Sequence, residues 1–320
     1  MNKTRDFQVL SKEVLSLWQG MSFDRKNTEW NFQSYRLILF FWTRPSDKSE
    51  KMDSLRPSMP ATPPQRIVSV VPSQTELLFD LGLDREIAGV TKFCIHPAEK
   101  VKQKPKVGGT KTLDLHRIHA LKPDLILANR EENTREQIEV LQRSYPVLVT
   151  DVTTIADALA MIQVVGTAVG CGPEAGQVVQ RITAAFQQGG FEICNRVASD
   201  VQVEAGNSVA YLIWRKPYMI AARQTFIHSV LETGGFRNAF ADQTRYPVIS
   251  ENELKAARPD YLFLSSEPYP FSEKHRAELQ AVCPDARVVL VDGELFSWYG
   301  SRMLHLPAYI QALRRTIGLA

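Results

Sequence analysis

The chain contains one phrase twice. Residues 118–126 read Ile-His-Ala-Leu-Lys-Pro-Asp-Leu-Ile, and residues 254–262 read Leu-Lys-Ala-Ala-Arg-Pro-Asp-Tyr-Leu. In each copy a helix-like stretch runs into a basic residue, then Pro-Asp, then an apolar run of strand type. Pro123 and Pro259 cannot continue a helix, and a proline pushes the residue before it toward extended geometry. Leu125-Ile126-Leu127-Ala128 and Tyr261-Leu262-Phe263-Leu264 have the character of buried parallel strands. A unit found only twice and far apart is not a solenoid, which stacks at least three copies. It describes two similar α/β lobes. Two lobes facing each other make a cleft, and a cleft suggests a ligand.

Length agrees with this reading. A chain of 320 residues holds about two domains at roughly 150 residues each. A hydrophobic fraction of 44% and a charged fraction of 23% are those of an ordinary globular protein. A net charge of +3 without long basic runs does not point to nucleic acid. Cys94, Cys171, Cys194 and Cys283 stand singly with no C-x-x-C, which excludes a zinc knuckle and a dithiol motif and leaves their pairing open.

Residues 1–64 read as a separate, atypical extension without sustained periodicity. It holds Trp18, Trp30 and Trp42, three of the five tryptophans. Its apolar run Leu37–Trp42 is six residues long, short of a signal-peptide core of about 7–15 or a membrane helix of about 20. With no small-residue cleavage site after it, the sequence alone suggests a cytoplasmic protein, a poorly ordered extension, or a start at Met52 or Met59. A non-standard export or membrane segment is the alternative.

From Arg66 the pattern is regular. Strands are expected at 66–71, 87–90, 125–128 and 147–149, separated by helix-like or loop segments, with Ser73 and Glu76 at capping-box spacing before the helix 77–81. Residues 155–169 and 174–193 carry apolar residues at helical spacing, and Pro173 suits a first turn. The second helix, about 20 residues and about 30 Å long, would be a stiff strut between lobes. Further strands are expected at 209–213, 262–264 and 288–291. The implied division is 65–172 for the first lobe, 173–198 for the linking helix and 199–320 for the second lobe, opening on a polar loop.

The run Arg66-Ile-Val-Ser-Val-Val-Pro-Ser-Gln-Thr-Glu-Leu-Leu, then Leu121-Lys-Pro-Asp-Leu-Ile, the long helix and the second Pro-Asp strand resemble the helical-backbone metal receptor superfamily. These are the cobalamin-, iron-siderophore- and haem-binding proteins of ABC importers (class III periplasmic-binding-protein-like), and the resemblance is to the cobalamin-binding-protein-like branch, over residues 65–320. It implies an α/β fold of two Rossmann-like lobes with parallel sheets joined by one long backbone helix. It implies a metal chelate (corrinoid, haem or ferric siderophore) bound between the lobes, a monomer with no catalytic cofactor, an ABC-transporter permease as partner, and a periplasmic or cell-surface location. It also implies one docking glutamate per lobe, for which Glu136 and Glu251 lie close to the expected places. At Thr110 and Asn129, where the cobalamin-binding relatives carry aromatics, this chain is polar.

The cleft residues follow independently from where ligands lie in parallel α/β sheets, beyond the carboxyl ends of strands. In the first lobe these ends supply Ser73, Gln74, Lys92, Phe93, His96, Thr110, Asn129 and Arg130. In the second they supply Trp214, Tyr218, Tyr269, Phe296, Trp298 and Tyr299, with Arg245 and Tyr246 where the resemblance puts a stacking aromatic. Tyrosine and tryptophan can cover the flat face of a corrin or haem, and arginine can pair with carboxylates. His96 is the candidate axial ligand. His116 and His119 lack a third partner for a metal. Gly108-Gly109-Thr110-Lys111-Thr112 lacks phosphate-loop spacing and reads as a tight turn lining the cleft. An enzyme such as a chelatase, or a cytoplasmic corrinoid- or haem-handling protein, is the alternative. An enzyme would need titratable groups converging in the cleft, for which Glu131, Glu132, Glu267 and His96 are available.

Overall fold

The computed structural model describes residues 62–193 and 207–319. The expectations for residues 1–61, for Cys194 and for the loop 199–206 fall outside the described residues. The first sheet holds β1 (Ile67–Ser69), β2 (Ile87–Val90), β3 (Leu125–Asn129) and β4 (Val147–Thr150), all parallel in the order β2-β1-β3-β4. Its connections carry α1 (Pro72–Asp80), α2 (Ala98–Lys102), α3 (Leu115–Leu121) and α4 (Arg135–Gln142). One core, including Val68, Val70, Ile118, Ile126 and Leu141, closes this lobe.

Two helices follow, α5 (Ile155–Ala168) and α6 (Gly172–Gln188). In α6, Ala175, Val178, Ile182 and Phe186 form a buried stripe at helical spacing. The two helices approach so closely at Gly166 that a Cβ there would stand 2.1 Å from the Cβ of Ala175. Helix α6 is 17 residues rather than the expected 20, about 26 Å, because Gly189 and Gly190 end it, the latter at φ 73.

The second sheet holds β5 (Ser208–Trp214), β6 (Tyr218–Ile220), β7 (Arg237–Asn238), β8 (Val248–Ile249), β9 (Tyr261–Ser265) and β10 (Arg287–Val291). Its order is β10-β9-β5-β6-β8, with β7 beside β5. Strands β10, β9 and β5 are parallel, but β6 runs antiparallel to both β5 and β8, so the sheet is mixed. The reason is the connection. Arg215-Lys216-Pro217 turns the chain back with Lys216 at φ 60, and a parallel strand would have needed a crossover of about a dozen residues. Helices α7 (Phe226–Thr233), α8 (Glu251–Ala256), α9 (Glu273–Val282) and α10 (Gly293–Ser297), a 3₁₀ turn (Ser301–His305) and α11 (Leu306–Thr316) complete the lobe. Among the described residues no helix is long and apolar enough to cross a membrane.

The repeated phrase is one structural device used twice. The basic residue before each proline is left-handed rather than extended, at φ 46 for Lys122 and φ 43 for Arg258, and this turns the chain out of the preceding helix. The aspartate after each proline then binds the start of the neighbouring strand. Asp124 accepts from the N–H groups of Gln65 (2.7 Å) and Arg66 (2.9 Å). Asp260 accepts from the N–H (2.7 Å) and hydroxyl (3.0 Å) of Ser208, whose oxygen in turn accepts from the Asp260 N–H (3.0 Å). Each aspartate thus pins the entry of a central strand, with Ile67 set opposite Leu125 and Val209 opposite Tyr261.

Replacing either aspartate with alanine orphans these donors at a partly exposed edge. We expect Asp124→Ala and Asp260→Ala each to lower unfolding free energy by about 1–2 kcal/mol, and asparagine, which keeps one acceptor, to cost less. Urea titration checks both, and an unchanged midpoint in the alanine variants would remove the pinning role.

Candidate functional site

The strand ends of the two sheets meet at a floor built around the loop after β3. Asn129 shapes that loop. Its Nδ2 donates to the Thr150 carbonyl and hydroxyl (3.1 Å each), and its Oδ1 accepts from the N–H groups of Glu131 (2.8 Å) and Glu132 (3.2 Å). Asn133 clamps the other side, accepting from the Asn129 N–H (2.8 Å) and donating to the carbonyls of Val70 and Thr110 (3.1 Å each). Gln74 reaches the same Thr150 hydroxyl at 2.5 Å. Asn129 and Gln74 are 1% and 0% exposed. Both are expected to line the cleft and both are wholly buried; Asn129 has its bonds made within the frame, while Gln74 leaves its Oε1 without a donor. Thr110 is likewise buried, its carbonyl taken by Asn133.

Glu131 and Glu132 keep some contact with solvent but lie deep between the walls. Burial pushes both carboxyls up, Glu132 to about 7. For Glu131 the Tyr246 hydroxyl and Arg245 act against that rise, and for Glu132 Lys111 does. Lys111 sits on the turn after Gly108, where φ is 99 and the Gly109 N–H reaches the Thr112 carbonyl at 2.8 Å. Its ammonium donates to the Glu131 carbonyl, and burial lowers its pKa while the two glutamates raise it. From the second lobe, Arg245 approaches Glu131 at 3.8 Å, and the Tyr246 hydroxyl lies near the same carboxylate. Glu267 completes the group, accepting from the Ser297 hydroxyl (2.6 Å) and Trp298 Nε1 (2.9 Å). Burial raises its pKa, and its charge in turn raises that of Glu132. Tyr299 lies beside Ser73 and feels the charges of Glu132 and Glu131.

A second polar group joins the lobes. Arg302 pairs with both oxygens of Glu76 (2.8 Å each) and with Glu294 (3.0 Å), and Glu294 meets His96 Nε2 at 2.9 Å. The Trp298 ring lies between them, 5.0 Å from the Arg302 guanidinium and edge-on to His96 at 5.4 Å. Glu76 therefore serves the far lobe and not a capping box. Pro72 starts α1 directly after Val71, which places Ser73 inside the helix. His96, expected as an axial ligand, spends Nε2 on Glu294, and among the described residues no cluster of His, Cys, Asp or Glu is arranged to hold a bare metal ion.

The remaining expected residues divide. Phe93 is 41% exposed on the loop after β2, with the Lys92 ammonium over its ring, and Ile95 next to it is 46% exposed. Arg130 bonds Asp151 at 3.1 Å. Tyr218 is buried and donates to Glu278 (2.8 Å), which also binds Arg215. Trp214 is buried edge-on against Tyr269. Phe296, expected in the cleft, is wholly buried between Tyr211, Phe263 and Tyr309, because α10 turns that side of its single turn onto the sheet. Glu136 and Glu251 are both exposed in the first turns of α4 and α8. Sequence reasoning missed Lys111 as a charged floor residue and missed Arg302 and Glu294 altogether; nothing local marked the latter two.

Two sheets whose strand ends share a polar floor, with an ion-paired seam beside it, define a two-lobed binding protein of the α/β class. Residues 67–282 match the periplasmic binding protein family, and the chain belongs to it. That family is one of binding proteins. The vitamin B12-binding protein of Pectobacterium carotovorum subsp. carotovorum (strain PC1) is 28% identical over 245 residues, covering 75% of this chain and 85% of that protein. The uncharacterized ABC transporter substrate-binding lipoprotein YvrC of Bacillus subtilis (strain 168) is 26% identical over 249 residues, 75% of this chain and 77% of that one. A periplasmic haem-binding protein from Pseudomonas aeruginosa superposes with a TM-score of 0.65 at 22% identity, over 78% of this chain and 92% of that one, and so shares the fold.

Glu132 gives a signed pH effect. Its folded pKa of about 7 lies above the unfolded value near 4.3, so the folded state holds the proton longer. Its contribution is fully present below about pH 4.3 and is lost as pH rises through about 7. Glu132→Gln cannot ionise, so the fall in stability between pH 5 and pH 8 should shrink. Urea midpoints at the two pH values measure this, and an unchanged difference would contradict it.

Proposed function

We propose that this chain is the substrate-binding protein of an ABC importer and carries a metal chelate (corrinoid, haem or ferric siderophore) in the cleft between its sheets. The observation that carries the reading is the pairing of an exposed apolar lip with a buried polar floor. Phe93 and Ile95 stand 41% and 46% exposed on one lobe, while Tyr246 approaches from the other over Glu131. Exposed apolar side chains beside convergent polar groups suit a ligand with a flat apolar face and a hydrogen-bonding rim. Membership of the periplasmic binding protein family and the names of its relatives support the same cargo class. On this reading the protein works on the outer side of the cytoplasmic membrane and performs no chemistry on its cargo.

Titration of the purified chain with cobalamin, haem and a ferric siderophore, followed by visible absorbance and heat, tests it. One of them should bind at about one per chain, and Phe93→Ala and Tyr246→Ala should each weaken that binding several-fold while the thermal midpoint changes little. If none binds to the folded protein, the reading fails.

The permease partner is part of the same proposal. Glu136 and Glu251 are exposed and take no part in the floor, so they are available to basic residues of a transporter. The double variant Glu136→Lys/Glu251→Lys should keep full chelate affinity and lose stimulation of the transporter's ATPase. Retained stimulation would remove these two glutamates from the docking surface.

A further inference from the structure

Three cations beside the floor of the cleft already face partners in the chain. Lys111 donates to the Glu131 loop, Arg245 faces Glu131, and Arg130 binds Asp151. Nearby, Arg302 is held by Glu76 and Glu294, and Arg215 by Glu278. A ligand carboxylate would have to break one of these pairs before meeting a guanidinium. The acceptors are a different matter. Glu131, Glu132 and Glu267 converge from both lobes close enough for the charge of Glu132 to be coupled to both others. A cluster of carboxylates alone would mean little, but two buried polar atoms beside it lack partners. The hydroxyl of Tyr299, a residue 5% exposed, makes no hydrogen bond of good geometry among the described residues, although it neighbours Ser73, Glu131 and Glu132. The Oε1 of Gln74, a residue 0% exposed at the start of α1, is likewise without a donor. A buried polar atom left unpaired costs about 1–3 kcal/mol, so such atoms at a binding floor mark bonds completed by a ligand or by water it displaces.

Resting on the chelate-binding reading above, we infer that Glu131, Glu132, Glu267 and Tyr299 select a chelate whose rim presents N–H donors, as carboxamides or an ammonium, over one whose rim presents carboxylates. Carboxamide N–H groups would meet the glutamate oxygens, and the Tyr299 hydroxyl would donate to a carboxamide carbonyl or accept from an N–H. A propionate or acetate rim would instead add negative charge beside three carboxyls that burial already holds back from ionising, and would push them further toward the protonated form at a cost to binding.

Four probes separate the possibilities: cobinamide, whose corrin ring carries carboxamides; cobyrinic acid, the same ring with carboxylates; ferrioxamine B, a ferric hydroxamate with a free ammonium; and haem, with its propionates. Affinities for the full chain at pH 7.5 should favour cobinamide or ferrioxamine B over both carboxylate probes by at least about ten-fold, and which donor probe binds names the source of the N–H groups. Tyr299→Phe should weaken the preferred probe by about three-fold or more while changing the thermal midpoint little, because no hydrogen bond of good geometry holds that hydroxyl within the chain. Glu132→Gln/Glu267→Gln should narrow the preference. Tightest binding by haem or cobyrinic acid would overturn the inference and leave the chelate reading standing, as would a Tyr299→Phe variant with unaltered affinity for the preferred probe. No binding of any probe by folded protein would overturn both.

Discussion

One guanidinium joins the two halves of the molecule. Arg302 binds Glu76 on α1 through two hydrogen bonds and Glu294 on α10 through an ion pair, with side chains between 15% and 23% exposed. Fork-to-fork pairing with a carboxylate fixes direction as well as distance. Removing Arg302 would leave two partly buried carboxylates without their shared counter-charge, which is why breaking the group costs far more than forming it contributes. The neighbouring parts take their positions from this pairing. Glu294 holds His96, His96 packs edge-on to Trp298, and Trp298 Nε1 reaches Glu267 on the floor. A chain of contacts thus runs from the seam to the carboxylates a ligand would meet.

Seam and floor use the same chemistry in opposite ways. At the seam Glu76 and Glu294 already have partners in the chain. At the floor burial raises three carboxyls and leaves a hydroxyl and an amide oxygen unpaired, while the frame beneath, Asn129, Asn133 and Thr150, is fully bonded. A rigid frame under an incompletely bonded surface is what pre-organisation requires: the groups that would recognise a ligand are held in place before it arrives.

The sequence made the scaffold legible because its signals are local. Pro123 with Asp124 and Pro259 with Asp260 each concern a handful of adjacent atoms, and both strand entries follow from them. The mixed second sheet was not legible, since β6 is reached by a hairpin whose turn, Arg215-Lys216-Pro217, carries no usual hairpin signature. In the site, proximity to a strand end singled out Phe93, Phe296, Trp298 and Tyr299 as candidates, and the resemblance singled out Tyr246, but neither signal says which way a ring turns. Phe296, one helical position from Ser297, faces the core instead. Asn129 failed as a lining residue for a related reason: a polar side chain at a strand end bonds its own loop as readily as a ligand. The Arg302–Glu76 pair joins residues 226 positions apart, and no short motif announces such a bond.

The paired aspartates have a consequence for synthesis. The first sheet is made entirely of residues 67–150, and the aspartate that fastens its first strand, Asp124, lies only 59 positions from Gln65. It can therefore close while the rest of the chain is still being translated. Helix α1, by contrast, must wait for Arg302 before Glu76 has its counter-charge. A ribosome releasing this chain in order would hold a finished first lobe with an unpaired glutamate on its inner face. The last twenty or so residues would arrive to meet a template already set.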